Sequence, residues 1–187
     1  MKKIILTNEQ IVEICKKMAE ELHSRLKDAK KLPIFIGVMK GALPFMMELI
    51  KHYNGDMLID FIQVSSFQGT ESTGTILLKR DVTMDLRGRD IVIVEDIVDT
   101  GFTMNYLVKY LDESYAPHSI TTVALLDKKC KRKMPFELDL YGLEIGDEFV
   151  VGFGFDYDEL HRNVPYIFVP NQEEIPEWNE LLKKQAE

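Results

Sequence analysis

The sequence predicts an α/β fold: a mainly parallel central sheet flanked by helices, with a smaller appended subregion. Apolar runs of buried-strand type recur at residues 33–39, 90–94 and 119–126, and helical spacing of apolar residues fills much of the chain between them. No stretch rich in Pro, Gly or Ser and no internal repeat divides the chain, and 187 residues suit one domain of ordinary size.

Taken in order, Thr7-Asn8-Glu9-Gln10 suits a capping box, and Ile11, Ile14, Cys15, Met18, Leu22 and Leu26 follow on one helical face. Residues 33–39 (PIFIGVM) form a buried strand, and Lys40-Gly41-Ala42 leads into a second helix through Phe45, Leu49 and Ile50. Another strand spans 57–66. Residues 67–74 (FQGTESTG) have the small polar composition of a mobile loop, and 75–82 resume extended structure. Strand 90–94 precedes a turn at Gly101 and a helix over 104–111, and strand 119–126 follows. Right-handed βαβ units then place the loops after Met39, Val94 and Leu126 on one rim, beyond the carboxyl ends of the strands. From Phe136 the pattern changes to short strands at 138–141, 149–153 and 166–169, with a closing helix over 176–185.

Composition bounds the function. A net charge of -8 disfavours broad nucleic-acid binding, which depends on neutralising phosphates, although residues 128–133 (KKCKRK) concentrate positive charge locally. The opening MKKIILTNEQ is not a signal peptide, and no run approaches the roughly 18 apolar residues of a membrane span. A cytoplasmic protein without a membrane partner is expected. Cys15 and Cys130 lack metal-ligand spacing and a disulfide framework, and His23, His52, His118 and His161 form no ligand pattern.

The chemistry concentrates in residues 91–104, IVIVEDIVDTGFTM. Asp99 to Thr103 can wrap an anion with backbone N–H groups at a helix start, with Thr100 and Thr103 adding hydroxyls and Gly101 permitting close approach. Locally, a turn whose Asp and Thr merely cap the helix fits equally well. The full Walker pattern is absent. Glu95 and Asp96, successive carboxylates ending an apolar strand, need solvent, a cation or hydroxyl groups. A phosphorylated sugar satisfies both halves: vicinal hydroxyls or a magnesium ion for the acids, a phosphate for the turn.

This stretch resembles the phosphoribosyl pyrophosphate motif of the type I phosphoribosyltransferases, in the form of the hypoxanthine-guanine branch. The resemblance extends in order to Lys40-Gly41, Ser65-Ser66, Lys128, Phe149-Val150-Val151-Gly152 and Asp156-Tyr157 with Arg162, covering roughly residues 35 to 165. It implies a core at about 33–128 and a hood built from the N-terminal segment and about 136–187. It further implies Glu95 and Asp96 at the ribose hydroxyls and a magnesium ion, Asp99 at purine N7 as the catalytic proton donor or acceptor, and residues 99–103, Phe102 included, around the 5-phosphate. Lys40, Gly41 and Arg162 would meet pyrophosphate, with a non-proline cis peptide expected at Met39–Lys40. Ile97, Lys128, Phe149 and Val150 would form the purine site, Asp156 would help position magnesium in part through water, and Ser66 and Phe67 would belong to the mobile loop.

Bland readings stand beside these. Phe149 in FVVGF suits a core strand, Lys128 a solvated charge, Lys40 a helix start and Asp156 a turn. The family usually has tyrosine where this chain has Phe67, which removes a hydroxyl but keeps the ring. The implied reaction transfers a 5-phosphoribosyl group to N9 of a 6-oxopurine, hypoxanthine or guanine, giving the nucleotide and pyrophosphate in purine salvage. The implied assembly is a homodimer or homotetramer. Lys128, having donors only, disfavours adenine, whereas a xanthine-guanine enzyme and an RNA-binding regulator on the same fold remain the competing readings.

Overall fold

The computed structural model describes residues 2–66 and 76–185. The expected loop at 67–74, with Phe67, lies outside the described residues.

Strand β1 (Lys3–Leu6) leads into helix α1 (Asn8–Leu26). The helix starts where expected because the Gln10 N–H donates to Thr7 Oγ1 at 3.3 Å while the Thr7 N–H donates to Gln10 Oε1 at 2.9 Å. Strand β2 (Ile34–Met39), helix α2 (Ala42–His52), strand β3 (Leu58–Ser66) and strand β4 (Ile76–Arg80) follow. Next come β5 (Asp90–Val98), α3 (Phe102–Tyr115), β6 (Ser119–Asp127), β7 (Leu140–Glu144), β8 (Ile167–Val169) and α4 (Glu174–Gln185).

Among the described residues, the larger sheet has six strands in the order β4-β3-β2-β5-β6-β7, with only β4 antiparallel to its neighbour. Alternation along its strands divides the core between the two faces. Phe35, Val92, Val94, Val123 and Leu125 pack with Ile11, Cys15 and Leu22 of α1 and Phe45 and Leu49 of α2. Ile34, Ile36, Ile91, Ile93 and Ala124 instead join Met104, Leu107 and Leu111 of α3. The parallel β2, β5 and β6 end on one rim, as the strand–helix alternation implies.

Several boundaries differ from expectation for physical reasons. Strand β5 continues past Val94 to Val98, because its pairing with β6 runs on from Val94↔Val123 to Val98↔Asp127. Helix α3 starts at Phe102, directly after Gly101 in a left-handed conformation (φ 85°). Strand β7 is displaced toward the C-terminus, since its partner positions run from Leu140 opposite Val123 to Glu144 opposite Asp127. Residues 149–153 do not form a strand. Val151 makes an isolated bridge to Phe168, and positive φ at Gly152 (97°), Phe153 (51°) and Gly154 (100°) curls the chain away from extended geometry. The unanticipated β1 pairs antiparallel with β8, a partner 166 positions away at Lys3↔Val169.

Among the described residues, no helix is long and apolar enough to cross a membrane.

Candidate active site

The acidic end of β5 lies where one side of the sheet stops. Pairing with β2 ends at Val94 opposite Gly37, while β6 continues alongside. Beyond that point the two carboxylates turn back to the local backbone: Asp96 N–H donates to Glu95 Oε1 at 3.1 Å, and Ile97 N–H to Asp96 Oδ1 at 2.7 Å. Glu95 is buried and Asp96 half-buried. Burial, followed by the charge of Asp96, pushes the Glu95 carboxyl well above its ordinary range. Burial also raises Asp96, against the opposing effects of its contacts with Glu95 and Ile97 N–H and of the Arg162 charge.

A carboxyl raised in the folded state favours folding while protonated, and loses that advantage as pH climbs through its folded-state value. E95Q should therefore raise the melting temperature of the ligand-free protein at about pH 8, with the gain shrinking as pH falls toward about 5. Thermal melts across that range check this, and a pH-independent gain would remove buried charge as the cause.

After Val98 the chain turns through Asp99 and Thr100 into α3. Asp99 Oδ1 accepts from both the N–H and the hydroxyl of Thr100, so one expected anion donor is engaged by the motif's own acid. Gly101 is required here: with φ at 85°, a Cβ would come within 2.6 Å of the Met134 carbonyl. Glu95, Asp96, Ile97, Asp99, Gly101 and Thr103 line a hollow of about 170 Å³ at this point.

A residue that the sequence reading left unassigned braces the turn. Arg132 donates through one guanidinium nitrogen to the carbonyls of Val98 (2.9 Å) and Asp99 (2.5 Å), and through the other it pairs with the buried carboxylate of Asp127. The N–H groups of Lys133 and Met134 both reach the Thr100 carbonyl at 3.0 Å. The only sequence signal was the basic run at 128–133, which gives charge but no geometry.

Lys128 follows β6, and its N–H donates to the Val98 carbonyl at 2.8 Å, which sets it alongside Asp99. Its ammonium donates to the Glu148 carbonyl at 2.7 Å and is thereby held at the peptide that precedes Phe149. Phe149 is 52% exposed, so the core-strand reading fails for this side chain, whereas Val150 is buried. Tyr157 supports the Phe149 ring edge-on, with centroids 6.2 Å apart.

On the opposite side, Met39–Lys40 is a cis peptide, as the resemblance implied. Gly41 lies hard against Asp96, whose Oδ2 would be 1.8 Å from an added Cβ. Arg162 donates to the Gly154 carbonyl at 2.7 Å and pairs with Asp156 at 3.0 Å. Asp156 also accepts from Glu159 N–H at 2.8 Å. The structure does not gather Asp156 with Glu95 and Asp96 as a ligand set: among the described residues, no group of three His, Cys, Asp or Glu side chains is arranged to hold a metal ion. Ser66 ends β3 and is followed by residues outside those described.

Comparison with known proteins gives this arrangement its class. The phosphoribosyl transferase domain family matches residues 1–158, and the chain belongs to that family. Its fold is that of the type I phosphoribosyltransferases. Among its relatives, the hypoxanthine-guanine phosphoribosyltransferase of Bacillus subtilis (strain 168) is 44% identical over 170 residues, covering 90% of this chain and 93% of the relative. A crystal structure of a hypoxanthine phosphoribosyltransferase from Staphylococcus aureus superposes with a TM-score of 0.86 at 40% identity, covering 92% of this chain and 93% of the other. The Trypanosoma cruzi hypoxanthine phosphoribosyltransferase in complex with the product IMP gives 0.83 at 34% identity, covering 91% and 96%.

Proposed function

We propose that the chain transfers the 5-phosphoribosyl group of phosphoribosyl pyrophosphate to N9 of hypoxanthine or guanine, releasing pyrophosphate and giving IMP or GMP in purine salvage. The observation that carries the choice of base is the juxtaposition of Lys128, Asp99 and an open Phe149 ring at the ends of β5 and β6. A lysine ammonium has three donors and no acceptor. With one committed to the Glu148 carbonyl, the others remain for a 6-oxo group, whereas the amine of adenine finds no acceptor there.

In the reaction a bond forms between purine N9 and the anomeric carbon while the bond from that carbon to pyrophosphate breaks. Asp99, beside Lys128, handles the proton at N7 of the ring. Glu95 and Asp96 bind the ribose hydroxyls and oppose the positive charge that develops on the sugar. Lys40 and Arg162 receive the departing pyrophosphate, and the turn at 99–103 holds the 5-phosphate.

Magnesium is the cofactor of this reading, supplying charge neutralisation to the pyrophosphate. The donor set suits it: burial and mutual repulsion raise the Glu95 carboxyl, and a nearby cation favours the charged form of both acids. Glu95 and Asp96 would hold the ion, while Asp156 pairs with Arg162. A homodimer or homotetramer is part of the same proposal, supported by the exposed apolar side chains of Leu43 and Met47 on α2. The free Cys15 and Cys130 thiols support a reducing, cytoplasmic setting.

The decisive assay supplies donor, magnesium and each of hypoxanthine, guanine, xanthine and adenine separately, following nucleotide formation by absorbance. Turnover is expected with the first two and not with adenine. Turnover with none of the four defeats the enzymatic reading.

A further inference from the structure

The hood contributes an acid that the reaction scheme leaves without a role. Glu159 stands in a tight turn in which Tyr157 and Leu160 exchange backbone hydrogen bonds of 3.2 and 3.0 Å. Its φ is 71°, and its N–H is fixed by Asp156. From there its side chain reaches back 119 positions in sequence: Oε2 accepts from Lys40 Nζ at 2.9 Å and also faces Arg162 Nε at 3.4 Å. One carboxylate oxygen thus joins the two cations assigned to pyrophosphate. Both cations also have neighbours that fix their backbones or forks, and among the described residues Arg162 alone has a second carboxylate, Asp156 at 3.0 Å.

We infer that Glu159 is an internal counter-anion which occupies the pyrophosphate cations when that ligand is absent, so that pyrophosphate binds by displacing it. Two features make it displaceable. The carboxylate is 58% exposed and the lysine 52% exposed, so the pair is screened by water and readily exchanged. The anchors of Arg162 on Asp156 and Gly154 do not involve Glu159 and persist after it leaves. A pyrophosphate carries more charge and more acceptor oxygens than a carboxylate, so it wins the exchange at both cations. While seated, Glu159 keeps Lys40 directed toward the hood. Its own carboxyl is held below the ordinary range by those two contacts, Lys40 foremost.

The inference rests on the assignment of Lys40 to pyrophosphate, and it predicts a sign opposite to that of a purely architectural role. Removing a competing anion from an exposed pair, as in E159Q, should lower the inhibition constant of pyrophosphate and the KM for phosphoribosyl pyrophosphate by roughly two- to fivefold. The KM for hypoxanthine should not move. If Glu159 serves only to position Lys40 and Arg162, the same variant raises both constants, and that result, or no change, overturns the proposal. K40A separates the two layers of argument. If K40A weakens pyrophosphate inhibition but E159Q fails to strengthen it, the counter-anion role alone is lost; if K40A leaves inhibition unchanged, the underlying assignment and the proposal fall together.

Discussion

D99N is expected to lower turnover on hypoxanthine by about 10²- to 10⁴-fold, the range for loss of a positioned proton-transfer group, while the KM for phosphoribosyl pyrophosphate changes little. The substitution separates chemistry from architecture. Asp99 uses Oδ1 to accept from the N–H and hydroxyl of Thr100, and an amide oxygen can accept the same bonds. The Arg132 brace acts on the main-chain carbonyl of residue 99, which the substitution leaves in place. Gly101, Phe102 and Thr103 keep their positions at the start of α3, so the proposed phosphate end of the site persists. What asparagine cannot do is take or return a proton at purine N7. Steady-state kinetics with each substrate varied in turn provide the check, and unchanged turnover would sink the role of Asp99.

The contrast between Asp99 and Glu159 shows how far the sequence could be read. Residues 95–103 are contiguous, so a strand end, an acid pair and a helix start lay side by side in the chain, and the chemistry proposed for the hollow that most of them line rests on residue types alone. Even there the local pattern misjudged a boundary: β5 carries the acids within the strand, because β6 continues to pair after β2 has stopped. Lys128 and Phe149 entered through their order along the chain, and an isolated reading would have left one in solvent and the other in the core. Their conversion into neighbours depends on Lys128 meeting the Glu148 carbonyl and on the curl at 152–154, neither of which has a periodic signature. Glu159 and Arg132 were missed for the same reason. Their partners, Lys40 for one and the Val98 and Asp99 carbonyls for the other, are brought near only by the completed fold. Strand β1 is too short to announce itself, and its pairing with β8 joins segments far apart in the chain.

R132M should cost about 3 to 5 kcal/mol of folding stability, the usual penalty for stranding one member of a buried ion pair. Asp127 is only 1% exposed, and its other oxygen has no hydrogen-bond partner among the described residues, with Lys129 Nζ no nearer than 4.0 Å. Arg132 is therefore its principal compensation, and methionine fills much of the space without supplying charge. For a chain of this size, each kcal/mol moves the melting temperature by roughly 2 to 4 °C, so a fall on the order of 6 to 20 °C is expected. Loss of the same guanidinium releases the Val98 and Asp99 carbonyls, so the KM for phosphoribosyl pyrophosphate should rise as well. D127N/R132M distinguishes the two consequences. Removing the stranded charge should restore much of the stability, but the carbonyls stay unbraced and the raised KM remains. Thermal melts and donor kinetics on the single and double variants give both readouts. If the double variant regained affinity for the donor along with stability, Arg132 would act on the site only through global folding, and the brace on the turn would have no separate function.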